Sequence, residues 1–196
     1  MPVLSCARVL NFRPVLIHQT YPQSSSTHEP RFEDLRLAHF CIEGEPRAVR
    51  TARSMVRSLG GKSFSIATRD KALYHAAAVM SSGHMVALFD IAKEMLVGCG
   101  LSAKQASDAL LPLLSSTVEN LTHTSPARAL TGTFARADAA TVLKHLAALR
   151  DNTESNTLAV YRLLGLRSME LAREKNLNSV NVDRITRILE VMQKGK

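Results

Sequence analysis

From Thr68 to the end of the chain apolar residues recur at helical spacing, which confines about two thirds of the sequence to an all-helical domain. The first stretch is the most restrictive. Thr68 to Val97 reads as one long helix closed by Gly98 and Gly100, with Thr68 as its N-cap. On a helix of about 3.6 residues per turn, Lys71, His75, Ala78, Ser82, Met85 and Phe89 share one stripe, and Leu73, Ala77, Met80, His84, Ile91 and Met95 occupy the opposite side. Both stripes are largely apolar, so burial on two sides is expected. Lys71 falls in the first turn, where the helix dipole disfavours a cation by roughly 0.3–1 kcal/mol. A reason other than helix stability is therefore sought for this lysine.

Further helices follow. Ser102-x-x-Gln105 forms a capping box that opens a helix to about Leu121, with Ala106, Ala109, Leu110, Leu113, Leu114, Thr117 and Leu121 as its expected core stripe and a kink at Pro112. His123 to Asp138 reads as irregular. Asp138 caps a helix to about Arg150, Thr153 caps another to about Lys175, and a last amphipathic helix covers Asp183 to Gln193. In the penultimate helix Leu158, Tyr161, Gly165, Met169 and Ala172 form one apolar face.

The front of the chain is of another kind. Val15 to Ile17, Ala38 to Ile42 and Lys62 to Ile66 read as strands, and Pro46 to Leu59 as a helix with proline at its first position, where a missing N–H is harmless. Residues 1–67 thus resemble the tail of an α/β domain, and residues 68–196 form the helical part. A dinucleotide-binding unit opens with a G-x-G-x-x-G turn that lets backbone amides approach the pyrophosphate, and no such run occurs here. Gly60-Gly61 follows a helix and reads as its C-cap.

Composition narrows the function classes. Hydrophobic residues make up 45% of the chain, enough for a real core, and no apolar run approaches the roughly 20 residues that span a bilayer, so no membrane association is expected. Net charge is +8, but basic and acidic residues number 9 and 5 in residues 1–65, 8 and 6 in 66–150, and 8 and 6 in 151–196. This even spread, with few aromatics, predicts no nucleic-acid partner; Arg47, Arg50, Arg53 and Arg57 read as the solvated face of an amphipathic helix. Cys6, Cys41 and Cys99 share no short spacing, and His75, His84, His123 and His145 lack paired ligand spacing, so free thiols and no metal are expected. Arg8 and Arg13 precede the first acidic residue, Glu29, as in a transit peptide, whereas Pro14 to Ile17 has strand character; a reducing, cytoplasmic location is expected.

The runs DKALYHAAAVMSSGHMVAL, GL-SAKQA-DALLPLL-STVENL and ALTGTFARADAATVLKHL resemble the C-terminal helical domain of the family named domain of unknown function 2520. The resemblance extends from about Leu37 to Ala172. It implies a Rossmann-like domain joined to a helical domain of the 6-phosphogluconate dehydrogenase C-terminal type, with kinship to pyrroline-5-carboxylate and ketopantoate reductases. In that family the glycine-rich unit lies upstream of everything matched here. The resemblance therefore implies the rear portion of an NAD(P)-dependent oxidoreductase acting on a small carbonyl or imine acid, inactive as it stands and not binding NADP or NAD alone, with Met1 to about Arg13 replacing the lost front.

Related enzymes place a lysine, and an asparagine four residues on, along the first long helix of the all-α domain. Lys71 and His75 match that spacing, with histidine at the second position. The resemblance implies Lys71 as acid/base or anion anchor and His75 as its partner, with Ser82 available as a hydrogen-bond donor to substrate. Thr131 in Leu130-Thr131-Gly132 matches a Leu-Thr-Gly-Pro segment, with Thr133 in place of proline, and implies a substrate-cleft residue. Arg136 and Asp138 match the Ala-Arg-x-Asp that follows, or form a plain helix start. His18 is the nearest match to a His-Pro-x-Gln-Thr-Phe-like element and departs from it by a deletion. A homodimer through the helical domain is also implied. The alternative to an enzyme is a non-enzymatic dimerising or ligand-binding helical module.

Overall fold

The computed structural model describes residues 18–20, 39–153, 155–175 and 179–191. It is mainly helical, as expected, with a small sheet near its front, and divides into two compact units, 1–83 and 84–196.

In the first unit β1 (His18–Thr20), β2 (His39–Cys41) and β3 (Lys62–Phe64) form a sheet in that order, joined by α1 (Pro46–Ser58) between β2 and β3. β2 and β3 run parallel with His39 opposite Lys62 and Cys41 opposite Phe64, while β1 pairs antiparallel with His18 opposite Cys41. Parallel neighbours need a crossover, and α1 supplies it. One face of α1 packs Val49, Ala52 and Val56 on Phe40 and Ile42; its arginines are exposed. Gly60, at φ 77°, ends the helix: the Gly60 N–H donates to the Arg57 carbonyl, and the Gly61 N–H to that of Val56 at 3.0 Å. The expected C-cap is thus present. The strand expected at Val15 to Ile17 lies outside the described residues.

The long helix expected from Thr68 is not one element. A 3₁₀ turn (Thr68–Asp70) precedes α2 (Lys71–Ser81), and α3 (Gly83–Gly98) restarts after Ser82. Ala67, not Thr68, stands at the N-cap of the turn. Nor is the stretch buried on two sides, since no residue of α2 or α3 is buried within this chain. The expectation that no run could span a bilayer also needs correction. By length and composition alone the 31-residue stretch Thr68–Gly98 qualifies, because an 18-residue window within it has a mean hydropathy of 1.2 and none of that window is buried, although the stretch is interrupted at Ser82. Periodicity reports which face is apolar, not which molecule covers it.

The second unit has its core at the far end of the sequence. α7 (Ala139–Asn152), α8 (Ser155–Arg173) and α9 (Ser179–Val191) enclose Val142, Leu146, Met169, Ala172, Val182, Ile185 and Leu189, all essentially inaccessible to solvent. The predicted face of α8 is the one used. Gly165 sits in tight packing there, since a Cβ would lie 3.0 Å from Phe134 Cζ and 3.1 Å from Leu189 Cδ1 and both side chains would have to give way. The Ser102–Gln105 capping box is present at the start of α4 (Ala103–His123), which runs through Pro112 as one element. Its expected core stripe is not a core: Ala106 alone is buried, and Leu113 and Leu121 are 66% and 45% exposed. The segment read as irregular holds two short helices, α5 (Pro126–Ala129) and α6 (Gly132–Ala135). Asp138 caps α7, its carboxylate accepting from the Thr141 N–H at 3.0 Å. Thr153 closes α7 instead of opening α8, its hydroxyl donating to the Leu149 carbonyl at 2.6 Å.

Gly165→Ala is expected to destabilise the protein by about 1–3 kcal/mol, because Phe134 and Leu189 must shift to admit the methyl group. Gly98→Ala, with nothing within 4 Å, serves as control and should be neutral or stabilising. Denaturant midpoints measure both; an unaffected Gly165→Ala protein contradicts this packing.

Candidate functional site

Lys71 is the first residue of α2, and α2 begins shortly beyond the carboxyl end of β3. In open sheets of this kind the carboxyl ends of parallel strands are where ligands bind, because the crossover leaves a crevice there. Glu43 follows β2 at the same end. Its carboxylate lies 3.6 Å from Lys71 Nζ, with the lysine side chain 45% exposed and the glutamate 14%. This ion pair gives the cation in the first turn its counter-charge, answering the question raised by its unfavourable place on the dipole.

Two more groups close the cluster. Tyr74, one turn along α2, sets its ring edge-on to Phe64 at 5.8 Å between centroids. Burial raises the Tyr74 hydroxyl above its ordinary range, and the neighbouring Cys41 adds to this. Cys41 itself is buried at the end of β2; desolvation raises its thiol pKa first, and the Glu43 carboxylate raises it further. One carboxylate thus pairs with a half-exposed ammonium and disfavours thiolate in a small patch also lined by a phenol. Lys71 is accessible enough to meet a bound anion or exchange a proton; Cys41 is held as a neutral thiol. Sequence reasoning named Lys71 as a candidate and did not name Glu43 or Tyr74. The available signal was the acidic residue directly after a predicted strand, two positions beyond Cys41.

His75 is exposed on α2. Ser82 is also exposed and its hydroxyl donates to the Ala78 carbonyl at 2.7 Å, so that bond competes with any substrate. His18 is placed within β1, at a strand position and not in a loop. Thr131, in the second unit, is exposed at the N-cap of α6 without a side-chain capping bond. The segment before it is anchored by Lys175, whose ammonium donates to the Leu130 carbonyl at 2.7 Å. Asp138 is the plain helix start weighed above, its carboxyl held below the ordinary range by the Thr141 hydroxyl and N–H.

Within the second unit a groove of about 320 Å³ runs between α3 and α8, with Leu88, Ile91, Met95, Phe134, Val160 and Leu164 among its walls. Tyr161 also borders it, bonding through its hydroxyl to His145 Nδ1 at 2.8 Å, and burial lifts its pKa to about 12. His145, given no role by sequence, orients this phenol.

A dinucleotide does not fit the residues present. Gly60 ends a helix, Gly132 opens one of only four residues, Gly44 stands alone before α1, and the Gly98-x-Gly100 turn that leads into α4 (Ala103–His123) follows a helix and not a strand, so among the described residues no strand, glycine-rich turn and helix form the unit that cradles a pyrophosphate. No group of three or more His, Cys, Asp or Glu side chains could hold a metal among those residues.

The thiols supply a direct check. Alkylation at pH 8 followed by peptide mapping should modify exposed Cys99 much faster than buried Cys41. Equal rates would remove the enclosed environment assigned to Cys41.

Comparisons place this geometry among known proteins. The structure is similar to protein TM1727 from Thermotoga maritima, with a TM-score of 0.72 and 23% identity over 83% of this chain and 63% of that one. It is also similar to the putative NADP oxidoreductase BF3122 from Bacteroides fragilis, with a TM-score of 0.62 and 22% identity over 80% of this chain and 56% of that one. At such identities the likeness shows the fold, and the chain spans less than two thirds of either protein. No curated protein matches the sequence. The family model of domain of unknown function DUF2520 matches residues 38–168, and the chain belongs to that family.

Proposed function

We propose that this chain is the helical, substrate-side portion of an NAD(P)-dependent oxidoreductase acting on a small carbonyl or imine acid. The observation that carries the reading is Lys71, on the first turn of α2 near the carboxyl end of a parallel strand pair, paired with Glu43 and half open to solvent. An ammonium so placed can bind a substrate carboxylate or pass a proton to and from a substrate oxygen, with His75 one turn further along the same helix. The name borne by the B. fragilis neighbour points to the same class. Since no glycine-rich turn between a strand and a helix is found among the described residues, the chain by itself is expected not to hold the nucleotide, and no hydride step is assigned to its residues.

Two experiments test this reading. Calorimetric titration of the 196-residue chain with NADP should show no micromolar binding, and micromolar binding would overturn the assignment of the nucleotide to other residues. In a chimera carrying an upstream glycine-rich nucleotide unit, Lys71→Met should cost about 10²–10⁴-fold in turnover, far more than the modest fall in melting temperature expected from leaving the Glu43 carboxylate without its counter-ion. Full activity of that variant would remove Lys71 from the site.

A second reading, a non-enzymatic dimerising module, draws on the apolar surface. Val86, Leu88, Met95 and Val97 of α3, Leu111, Leu113, Val118 and Leu121 of α4, and Leu163 and Leu164 of α8 are all more than a third exposed. Monomeric proteins rarely leave such a surface uncovered, and a stable interface needs only about 800 Å² per partner. We therefore propose a homodimer through the helical unit under either reading. Sedimentation at micromolar concentration should give twice the chain mass; a monomer throughout that range contradicts it.

A further inference from the structure

The break between α2 and α3 is built from specific groups. Ala78 marks its near side: its carbonyl accepts from the Ser82 N–H at 3.1 Å, the Ser81 hydroxyl at 3.1 Å and the Ser82 hydroxyl at 2.7 Å. The same Ser82 N–H is shared with the Val79 carbonyl at 3.4 Å. Serine hydroxyls that bond back to the preceding turn bend helices, and a shared N–H marks a helix end. Ser82 then leaves the helical region, with φ −123° and ψ −73°, before α3 restarts.

Gly83 is the next residue, and neither space nor φ demands a glycine there. An added Cβ would meet Val79 Cγ1 at 3.9 Å, an ordinary contact, and the backbone is not in the left-handed region. What glycine contributes is backbone freedom. The division between the two compact units falls directly after Gly83. Three features therefore meet within three residues: side-chain termination of one helix, a glycine at the first position of the next, and the division between the two compact units.

We propose that Ser81-Ser82-Gly83 is a hinge about which the α/β unit, carrying Lys71 and Glu43, reorients against the helical unit, carrying the α3/α8 groove. Hinges absorb backbone rotation in a few residues at the ends of elements, and small residues suit them. The proposal is independent of the oxidoreductase reading. A hinge would also serve a module that folds around a partner.

The test is a distance distribution by pulsed electron resonance between spin labels at Lys62→Cys in the first unit and Lys104→Cys in the second, both exposed in the parent. Cys6 and Cys99 are replaced by serine, buried Cys41 stays, and unlabelled protein is added to suppress signals between copies. A hinge predicts a broad distribution in this protein. Ser81→Ala/Ser82→Ala/Gly83→Ala, which removes both back-bonding hydroxyls and the glycine, should lose the broad component and leave a single narrow distance. Gly83→Ala alone, whose methyl group fits, should narrow it partly and serves if the triple variant fails to fold. A distribution as narrow in the parent as in the alanine variants overturns the hinge, and since no turnover is read, the result does not depend on the proposed activity.

Discussion

The mutual packing of α7, α8 and α9 is the contact on which the helical unit depends. Met169 and Ala172 of α8 meet Val142 and Leu146 of α7 and Val182, Ile185 and Leu189 of α9, and burial of each of these side chains larger than alanine is worth about 1.5–3 kcal/mol. Gly165 lets Phe134 of α6 approach the same helix, and Phe134 and the preceding Leu130 pack against the core. Polar contacts reinforce this arrangement at its margins. Arg162 Nε donates to the Leu189 carbonyl at 2.9 Å, and Lys175 to that of Leu130 at 2.7 Å. The elements that come earlier in the sequence, α3 and α4, carry more apolar surface than they bury.

That imbalance explains which parts of the fold were legible in the sequence. Caps and turns depend on neighbours within a few residues, so the Ser102–Gln105 box, the Asp138 cap, proline at the start of α1 and glycine at its end were readable. The face of α8 was readable because its partners lie in the same chain. Burial of α2, α3 and α4 was not, because an apolar stripe records the need for cover without naming its source. The division of the long helix was missed for a related reason. Alanines and methionines on either side of Ser81-Ser82-Gly83 propagate a helix well, and the termination comes from hydroxyls turning back to one carbonyl.

The candidate site shows the same division. Lys71 was identifiable because its charge conflicts with the helix dipole, a local argument. Its counter-ion Glu43 lies 28 positions earlier, brought close only when β2, α1 and β3 assemble. Cys41 looked like an ordinary free thiol in sequence, and its enclosure beside Glu43 and Tyr74 is likewise a product of the sheet. Ser82, by contrast, was placed on the right stripe, but its hydroxyl is committed to the backbone, a competition that spacing does not reveal.

The central proposal is that stability resides in α7, α8 and α9, and that the apolar surface of α2, α3 and α4, exposed within the chain, is covered by a second copy. Amide hydrogen exchange measured across a dilution series tests it most directly. The account predicts that α7–α9 amides exchange slowly at every concentration, and that α2–α4 amides are protected at high concentration and lose protection on dilution. Protection of α2–α4 equal to that of α7–α9 and independent of concentration would contradict it.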